Sequence, residues 1–247
     1  MRAALAEFRS ALSYFTVLPV GRLDAEGAPS GGALAYLPIV GALVGLIAGG
    51  SGALVALGVR WLAAPVVLLA SLIVTGAIHV DGLLDAADAL CASVTVERRF
   101  EIARDPQHGT YAIVAMTVTA IFWLLALAHI PPPALIAATC AAATIGRCGA
   151  IVNAWFFPYA RGGTLMAGFQ MHPNPAIVMV GFLIGVMAAY LTTPWLVVAA
   201  LIVPLAAPIL GLFAARRLGG ALNGDCYGAI AVIGEVGMLV AAAILLR

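Results

Sequence analysis

Long apolar runs separated by short polar connections make up most of the chain. A bilayer core about 30 Å thick needs about 20 helical residues at a rise of about 1.5 Å per residue. Seven runs are long enough to be spans: Leu34–Leu57, Ala63–His79, Tyr111–His129, Ala134–Phe157, Ala176–Leu191, Trp195–Phe213 and Tyr227–Leu246. The pattern predicts an all-α fold, a polytopic transmembrane helical bundle of about seven spans that forms one domain over residues 1–247.

The segment before the first span has apolar residues at helical spacing. These residues are Leu5, Phe8, Leu12 and Phe15. We expect an N-terminal amphipathic helix in the membrane interface, because a helix with one apolar and one polar face suits that position. A short helix packed against the bundle is the alternative.

The first span contains Gly41, Gly45 and Gly49 at four-residue spacing. Small residues at this spacing form a helix face that another backbone can approach closely in lipid. We interpret them as a packing face. General glycine richness is the alternative, since the chain contains 27 glycines.

The composition agrees with a lipid environment and excludes a soluble domain. Hydrophobic residues make up 64% of the chain and charged residues 9%. In soluble domains about 45–50% of the residues are apolar and about 25% are charged. The net charge of +1 gives no basic surface for nucleic acid. The lipid bilayer is therefore the expected partner, and no nucleic-acid partner is predicted.

Arginines concentrate in alternate connections between the predicted spans. They are Arg2, Arg9 and Arg22, then Arg98, Arg99 and Arg104, then Arg161, and finally Arg216 and Arg217. The connections on the other side contain only Arg60 and the terminal Arg247. The positive-inside rule therefore predicts a cytoplasmic N terminus and cytoplasmic arginine-rich loops.

Three aspartates, Asp81, Asp85 and Asp88, follow the second predicted span. Their i, i+4, i+7 spacing places them on one helix face, where two carboxylates about 6 Å apart repel by roughly 3 kcal/mol at an effective dielectric of about 20. Mg²⁺ prefers carboxylate oxygens and leaves positions open for phosphates. We predict a Mg²⁺ site on these aspartates, with a solvated acidic helix end as the alternative.

The next connection contains candidate substrate-binding groups. Arg104 suits bidentate phosphate binding, and Asp105 is its acidic neighbour. Gly109 and Thr110 offer backbone amides where the third span begins, and a helix N terminus favours anions. His79 is a further candidate for substrate binding or proton transfer. A histidine that only bonds a backbone carbonyl is the alternative.

Polar residues in or beside the later spans are further candidates. Arg147 lies inside the fourth span, where an unpaired arginine costs about 2.5–3.5 kcal/mol. It therefore needs a phosphate, an aspartate or a structural ion-pair partner. Arg161 is a second candidate phosphate ligand, and Asn223 a candidate substrate ligand. Asp225 could serve as a metal ligand or a base, and Glu235 is an intramembrane acid.

Three motifs resemble those of the cobalamin-5'-phosphate synthase family, also called the adenosylcobinamide-GDP ribazoletransferases. They are HVDGLLDAAD at residues 79–88, RDPQHGT at 104–110 and GGALNGDCYGA at 219–229. The resemblance extends over almost the whole chain. The chain departs from the family at Ala89, where glycine is usual, and at Val232, where the family often has a different residue with a second acid on that helix.

The resemblance implies a Mg²⁺-dependent enzyme of the bacterial inner membrane with its active site facing the cytoplasm. Such an enzyme joins adenosylcobinamide-GDP to α-ribazole or its 5'-phosphate and releases GMP. The residue pattern and the resemblance together predict catalytic roles for Asp81, Asp85 and Asp225, with Asp225 or Asp85 as the base. The oligomeric state stays open, with a homo-oligomer as one outcome.

Three other functions remain alternatives at this point. A CDP-alcohol phosphotransferase also has spaced aspartates, but the arginine of its DGxxAR-like motif is absent after Gly82. A membrane prenyltransferase uses two aspartate-rich motifs, and only one clear cluster is present here. A small-solute transporter usually places its ionisable groups near the bilayer midplane, whereas most of them flank the spans here.

Overall fold

The computed structural model describes residues 2–20, 31–160 and 173–247, and its regular structure is helical. Within these ranges there is no strand, only one isolated bridge between two connections. The α-helices of the described residues are α1 (Arg2–Phe15), α2 (Leu37–Ala56), α3 (Ala63–Thr75), α4 (Ile78–Cys91), α5 (Val96–Ile102), α6 (Thr110–His129), α7 (Leu135–Phe156), α8 (Pro175–Thr192), α9 (Leu196–Arg217) and α10 (Gly224–Leu245). The predicted all-α fold is confirmed.

Six of the described helices are long and apolar enough to cross a membrane, namely α2, α6, α7, α8, α9 and α10. Their ends lie within a few residues of the spans predicted from the apolar runs. The consecutive helices α3 and α4 together form a bent seventh candidate. The chain is thus a multi-pass membrane protein, with six to seven candidate spans among the described residues.

The prediction that Ala63–His79 forms one continuous spanning helix is wrong. α3 ends at Thr75, and its 13 residues reach about 20 Å, short of a bilayer core of about 30 Å. Gly76 and Ala77 both have left-handed backbone with φ of 57°, and α4 then runs at 90° to α3. Glycine adopts this conformation readily, whereas Ala77 is strained by about 1–2 kcal/mol. The aspartate-bearing helix therefore turns away from α3 instead of extending it.

α7 is the central helix, with 83% of its most apolar stretch buried, against 22% for α6 and 28% for α8 and α9. α2 packs on α7 through its three spaced glycines. A β-carbon added to Gly41 would lie 2.6 Å from the Ala143 carbonyl oxygen. One added to Gly45 would overlap the Thr139 carbonyl, and one added to Gly49 would overlap the Thr139 hydroxyl. The Thr139 hydroxyl also donates to the Gly45 carbonyl oxygen at 2.7 Å. The predicted glycine packing face is confirmed.

Arg147 of α7 and Glu235 of α10 form a buried ion pair where these two helices pack. The Nη1–Oε2 distance is 2.9 Å, and Nη1 also donates to the Ala143 carbonyl oxygen at 2.8 Å. Gly146 and Gly234 allow the helices to approach, since a β-carbon on Gly234 would lie 2.9 Å from the Gly146 Cα atom. Each charge in this apolar environment therefore has a counter-charge.

Exposed aromatic side chains occur at both ends of the bundle. Trp61 and Trp195 lie in connections at one end. Trp155 and Phe156 lie at the C terminus of α7, at the opposite end. Tryptophan and other aromatic residues concentrate at membrane–water interfaces, so these positions agree with the two boundaries of a bilayer.

α1 is present as predicted, and its second half packs against the bundle. Ala11, Leu12 and Phe15 are buried in one apolar cluster with Leu37. Leu5, in the first half of the helix, is exposed. The alternative of a short helix packed against the bundle therefore describes the second half of α1.

We expect Gly45→Ala to destabilise the protein by about 1–3 kcal/mol, because the added methyl group overlaps the α7 backbone. Gly50→Ala is the matched control on the same helix, since a β-carbon there meets no atom within 4 Å. The control should leave stability unchanged or raise it by up to about 1 kcal/mol through helix propensity. Thermal unfolding of the two variants in detergent checks this. Equal melting temperatures would contradict the assigned α2–α7 packing.

We expect Glu235→Gln to cost about 3–5 kcal/mol, because it leaves the Arg147 guanidinium buried without its counter-charge. The double variant Arg147→Met, Glu235→Leu removes both charges at similar volume and should recover most of the lost stability. Melting temperatures of the single and double variants, followed by tryptophan fluorescence, measure this. A double variant as unstable as the single one would show that the pair is not the source of the loss.

Candidate active site

α4 and the N-terminal turns of α10 contact each other at two glycines. An added β-carbon on Gly82 of α4 would lie 3.1 Å from the Asp225 Cα atom. One on Gly228 of α10 would lie 3.1 Å from the His79 carbonyl oxygen. Gly82 stands between the first and second aspartates of α4, so this contact brings carboxylates of two helices to one end of the bundle.

The carboxylates of Asp81, Asp85 and Asp225 are close enough to interact electrostatically. The charges of Asp85 and Asp81 both act on Asp225, and the charges of Asp81 and Asp88 act on Asp85. Asp81 is exposed, whereas Asp85 and Asp225 are half-buried. His108, from the α5–α6 loop (residues 103–109), places its Nδ1 atom 3.6 Å from Asp85 Oδ1. The site is thus a group of acidic oxygens with one imidazole beside it.

The donor chemistry of this group fits Mg²⁺, which takes oxygen ligands and keeps several positions for water or phosphate. In the part of the chain that the structure describes, no three acidic, histidine or cysteine side chains stand close enough together to hold one metal ion. The mutual repulsion of carboxylates from two helices is nevertheless what a bound cation relieves. Asp81 and Asp85, with Asp225 across from them, are the residues that suit this role.

Asp88, the third aspartate of α4, binds the N terminus of α6. Its Oδ2 atom accepts the Gly109 N–H at 2.5 Å, and its Oδ1 atom accepts the Ala112 N–H at 3.0 Å. A carboxylate at this position satisfies two of the amides that a helix start leaves unpaired and interacts favourably with the helix dipole. The Gly109 amide, predicted to bind substrate phosphate, is therefore already bound by a carboxylate of the protein.

Two arginines bind the C terminus of α4. The Nη1 atom of Arg99, a buried side chain, donates to the carbonyl oxygens of Ala89 and Leu90, the latter at 2.9 Å. The Nη1 atom of Arg217 donates to the same Leu90 oxygen at 2.7 Å. Cations at a helix C terminus satisfy its last carbonyls and its dipole. From the sequence, these arginines were interpreted only as markers of membrane topology. In the structure they also hold the C terminus of the aspartate-bearing helix.

Asn223 caps α10 and orients Asp225. Its Oδ1 atom accepts the Cys226 N–H at 3.1 Å, and its Nδ2 atom donates to Asp225 Oδ2 at 2.6 Å. Burial, together with the charge of Asp225, raises the pKa of Tyr159 to about 12. Burial and the same charge also raise the pKa of Tyr14. Both hydroxyls therefore stay protonated at neutral pH in the neighbourhood of Asp225.

The remaining predicted residues of the second motif lie at the surface. Arg104, Asp105 and Thr110 are all exposed on or next to the α5–α6 loop. Asp105 Oδ1 accepts the Gln107 N–H at 3.0 Å, which shapes the loop locally. This loop leads into the Asp88-bound helix start, so its side chains lie on the same end of the bundle as the acidic group.

Two other predicted site residues, His79 and Arg147, have buried side chains. His79 is buried and stacks on Phe15 with ring centroids 5.9 Å apart. Among the described residues, its Nδ1 atom has no hydrogen-bond partner. Arg147 lies within α7 in its ion pair, which is the structural alternative left open by the sequence. Arg161 lies outside the described residues.

Sequence reasoning did not assign a role at the site to several residues in or around it. They are Gly82 and Gly228 at the α4–α10 contact, Tyr14 and Tyr159 beside Asp225, and Arg99 and Arg217 at the end of α4. The two glycines did have a usable signal, because glycine is disfavoured in helix interiors and usually has a packing reason there. No local pattern marks the tyrosines, whose position depends on contacts between distant segments.

Comparison with known proteins agrees with the three motifs. The family model described as cobalamin-5-phosphate synthase matches residues 7–243. An adenosylcobinamide-GDP ribazoletransferase of Bradyrhizobium diazoefficiens is 37% identical, with 98% of this chain and 95% of that protein covered. A protein of the same name from Chlorobaculum tepidum is 33% identical, with 96% of this chain and 95% of that protein covered. Another from Escherichia coli is 32% identical, with 95% of this chain and 98% of that protein covered. No solved structure matches the chain. The chain therefore belongs to the cobalamin-5-phosphate synthase family.

Proposed function

We propose that the chain transfers the adenosylcobinamide-phosphate group from adenosylcobinamide-GDP to α-ribazole or α-ribazole 5'-phosphate and releases GMP. The product is adenosylcobalamin or its 5'-phosphate, which places the reaction late in cobalamin biosynthesis. The family membership and the names of the relatives support this function. They do not favour the alternatives of another diphosphate-cleaving membrane transferase or a transporter.

The observation that best supports the proposal is the meeting of α4 and α10 at Gly82 and Gly228. It assembles acidic side chains at one end of a membrane bundle, beside a loop that contains Arg104. Acidic oxygens for a cation and a guanidinium for phosphate are the groups that diphosphate chemistry needs, because the reaction depends on positioning and on charge stabilisation.

The transfer breaks one P–O bond and forms another at the same phosphorus. The ribose 3'-hydroxyl of α-ribazole attacks the phosphorus nearer the cobinamide, and GMP leaves with the oxygen that bridged the two phosphorus atoms. The hydroxyl proton passes to a carboxylate of the protein. Asp225 suits this role because Asn223 holds its Oδ2 atom in place, and Asp85 is the alternative base.

We further propose that the transfer depends on Mg²⁺. Asp81 and Asp85 are the residues that would hold the ion, and Asp88 is the third ligand predicted from the sequence. When bound, the ion supplies positive charge that stabilises the diphosphate and the departing GMP. Arg104 adds a guanidinium on the neighbouring loop, and Arg161 is a further candidate phosphate ligand.

The proposed location is the bacterial inner membrane, with the N terminus and the active site in the cytoplasm. The start of α6, the end of α9 and the start of α10 lie at the same end, tied together through α4. This end has most of the arginines of the chain, as the positive-inside rule requires of a cytoplasmic face. Adenosylcobinamide-GDP and α-ribazole are both polar, so they would reach this face from water.

We expect Asp85→Asn to lower turnover by about a hundredfold or more, because it removes a charge from the group that stabilises the transferred phosphate. The assay uses the purified full chain in detergent with adenosylcobinamide-GDP and α-ribazole, and follows GMP release and cobamide formation with and without Mg²⁺. Glu97→Gln is the matched control, since it neutralises an exposed acid on α5 at the same end of the bundle.

The control should retain wild-type turnover, and wild-type activity should disappear when Mg²⁺ is chelated. Full activity of Asp85→Asn would remove this carboxylate from the reaction. Absence of cobamide from a folded wild-type protein supplied with Mg²⁺ would overturn the transferase proposal itself.

A further inference from the structure

We propose that Asp88 is a positioning residue that holds the N terminus of α6 and the α5–α6 loop against α4, and that it leaves metal binding to Asp81 and Asp85. This inference rests on the proposed Mg²⁺-dependent transfer. It gives the third aspartate of the motif a role different from that of the first two.

The hydrogen bonds of Asp88 are the first support. Both of its carboxylate oxygens accept backbone N–H groups, from Gly109 and from Ala112 at 3.0 Å. These amides belong to the N-cap and the first turn of α6, where they have no partner within the helix. The carboxylate therefore does for α6 what a bound anion does at other helix starts.

The packing at Gly109 is the second support. An added β-carbon there would lie 2.9 Å from Asp88 Oδ1 and 3.3 Å from the Asp88 carboxyl carbon. The backbone of the loop thus lies directly against the carboxylate, and a side chain at residue 109 would displace one from the other. A ligand ion would have to enter on a side of the carboxylate that the loop does not cover.

Burial separates Asp88 from the other two aspartates. Asp81 is exposed and Asp85 is half-buried, whereas Asp88 is only 8% exposed. Oxygens that hold a cation for a soluble diphosphate must be reachable by that substrate, because the ion has to contact both. Asp81 and Asp85 meet this requirement, and Asp88 does not.

The contact also explains how Asp88 would affect the reaction without touching the substrate. Asp88 lies one helical turn beyond Asp85, and it fixes Gly109, the last residue of the α5–α6 loop. The neighbouring His108 is thereby placed with its Nδ1 atom 3.6 Å from Asp85 Oδ1. Loss of Asp88 would therefore displace the loop that contains Arg104 from the acidic group.

Metal binding is the first test, measured with Mn²⁺ by electron paramagnetic resonance on the full chain in detergent. Asp85→Asn should weaken Mn²⁺ binding by about tenfold or more, as loss of a metal-site group does. Asp88→Asn and Asp88→Ala should bind Mn²⁺ like wild type and like the control Glu97→Gln. An equal loss in Asp85→Asn and Asp88→Asn would make Asp88 a ligand and overturn the proposal.

Hydrogen exchange of the amides at residues 109–112 is the second test, and it needs neither metal nor substrate. Asp88→Ala should lose protection at these amides, and Asp88→Asn should lose less, because its side-chain oxygen still accepts one hydrogen bond. Gly109→Ala should resemble Asp88→Ala, since it crowds the same contact while the carboxylate remains. Unchanged exchange in Asp88→Ala would overturn the proposed contact.

Kinetics then separate positioning from catalysis. The Asp88 variants should raise KM for adenosylcobinamide-GDP more than they lower kcat, with Asp88→Asn closer to wild type than Asp88→Ala. Asp85→Asn should act mainly on kcat. A wild-type protein without transferase activity would overturn the proposed function, whereas the exchange result would still decide whether Asp88 holds α6.

Discussion

The contact of α4 with α10 at Gly82 and Gly228 is the constraint on which the candidate site depends. A side chain at either position would meet the facing helix at about the closest separation that real β-carbons reach. The absence of both side chains allows the acidic residues of one helix to face Asp225 of the other. The repulsion between these carboxylates opposes the contact, so the packing of the helices has to hold it in place.

Several charged side chains of the protein hold α4 at its other contacts. Asp88 binds the start of α6, and Arg99 and Arg217 bind the last carbonyls of α4. In a membrane, each backbone N–H or C=O group without a hydrogen-bond partner costs roughly several kcal/mol, because no water is present to bond it. Arg99 and Arg217 supply such partners at the C terminus of α4, the helix that turns 90° from α3. The charges that fix α4 are therefore distinct from those left facing the site.

The sequence predicted features that depend on periodicity and failed where distant segments decide the geometry. Apolar length located six spanning helices, and four-residue spacing identified Gly41, Gly45 and Gly49 as a packing face. The corner at Gly76 lies within the run predicted as one span, and in a chain with 27 glycines a single glycine did not mark the end of a helix. Helical spacing placed Asp81 and Asp88 on one face, but it could not show that Asp88 has a partner 21 residues along the chain.

The acidic residues discussed above fall into two sets at different depths in the bundle. The deep pair of Arg147 and Glu235 is neutral by itself and sits where α7 and α10 pack. The acidic group of Asp81, Asp85 and Asp225, with the imidazole of His108 beside it, lies at the end of the bundle. A solute pathway would need uncompensated polar groups near the midplane. Here several acidic side chains gather at one end of the bundle, and this distribution suits an enzyme better than a transporter.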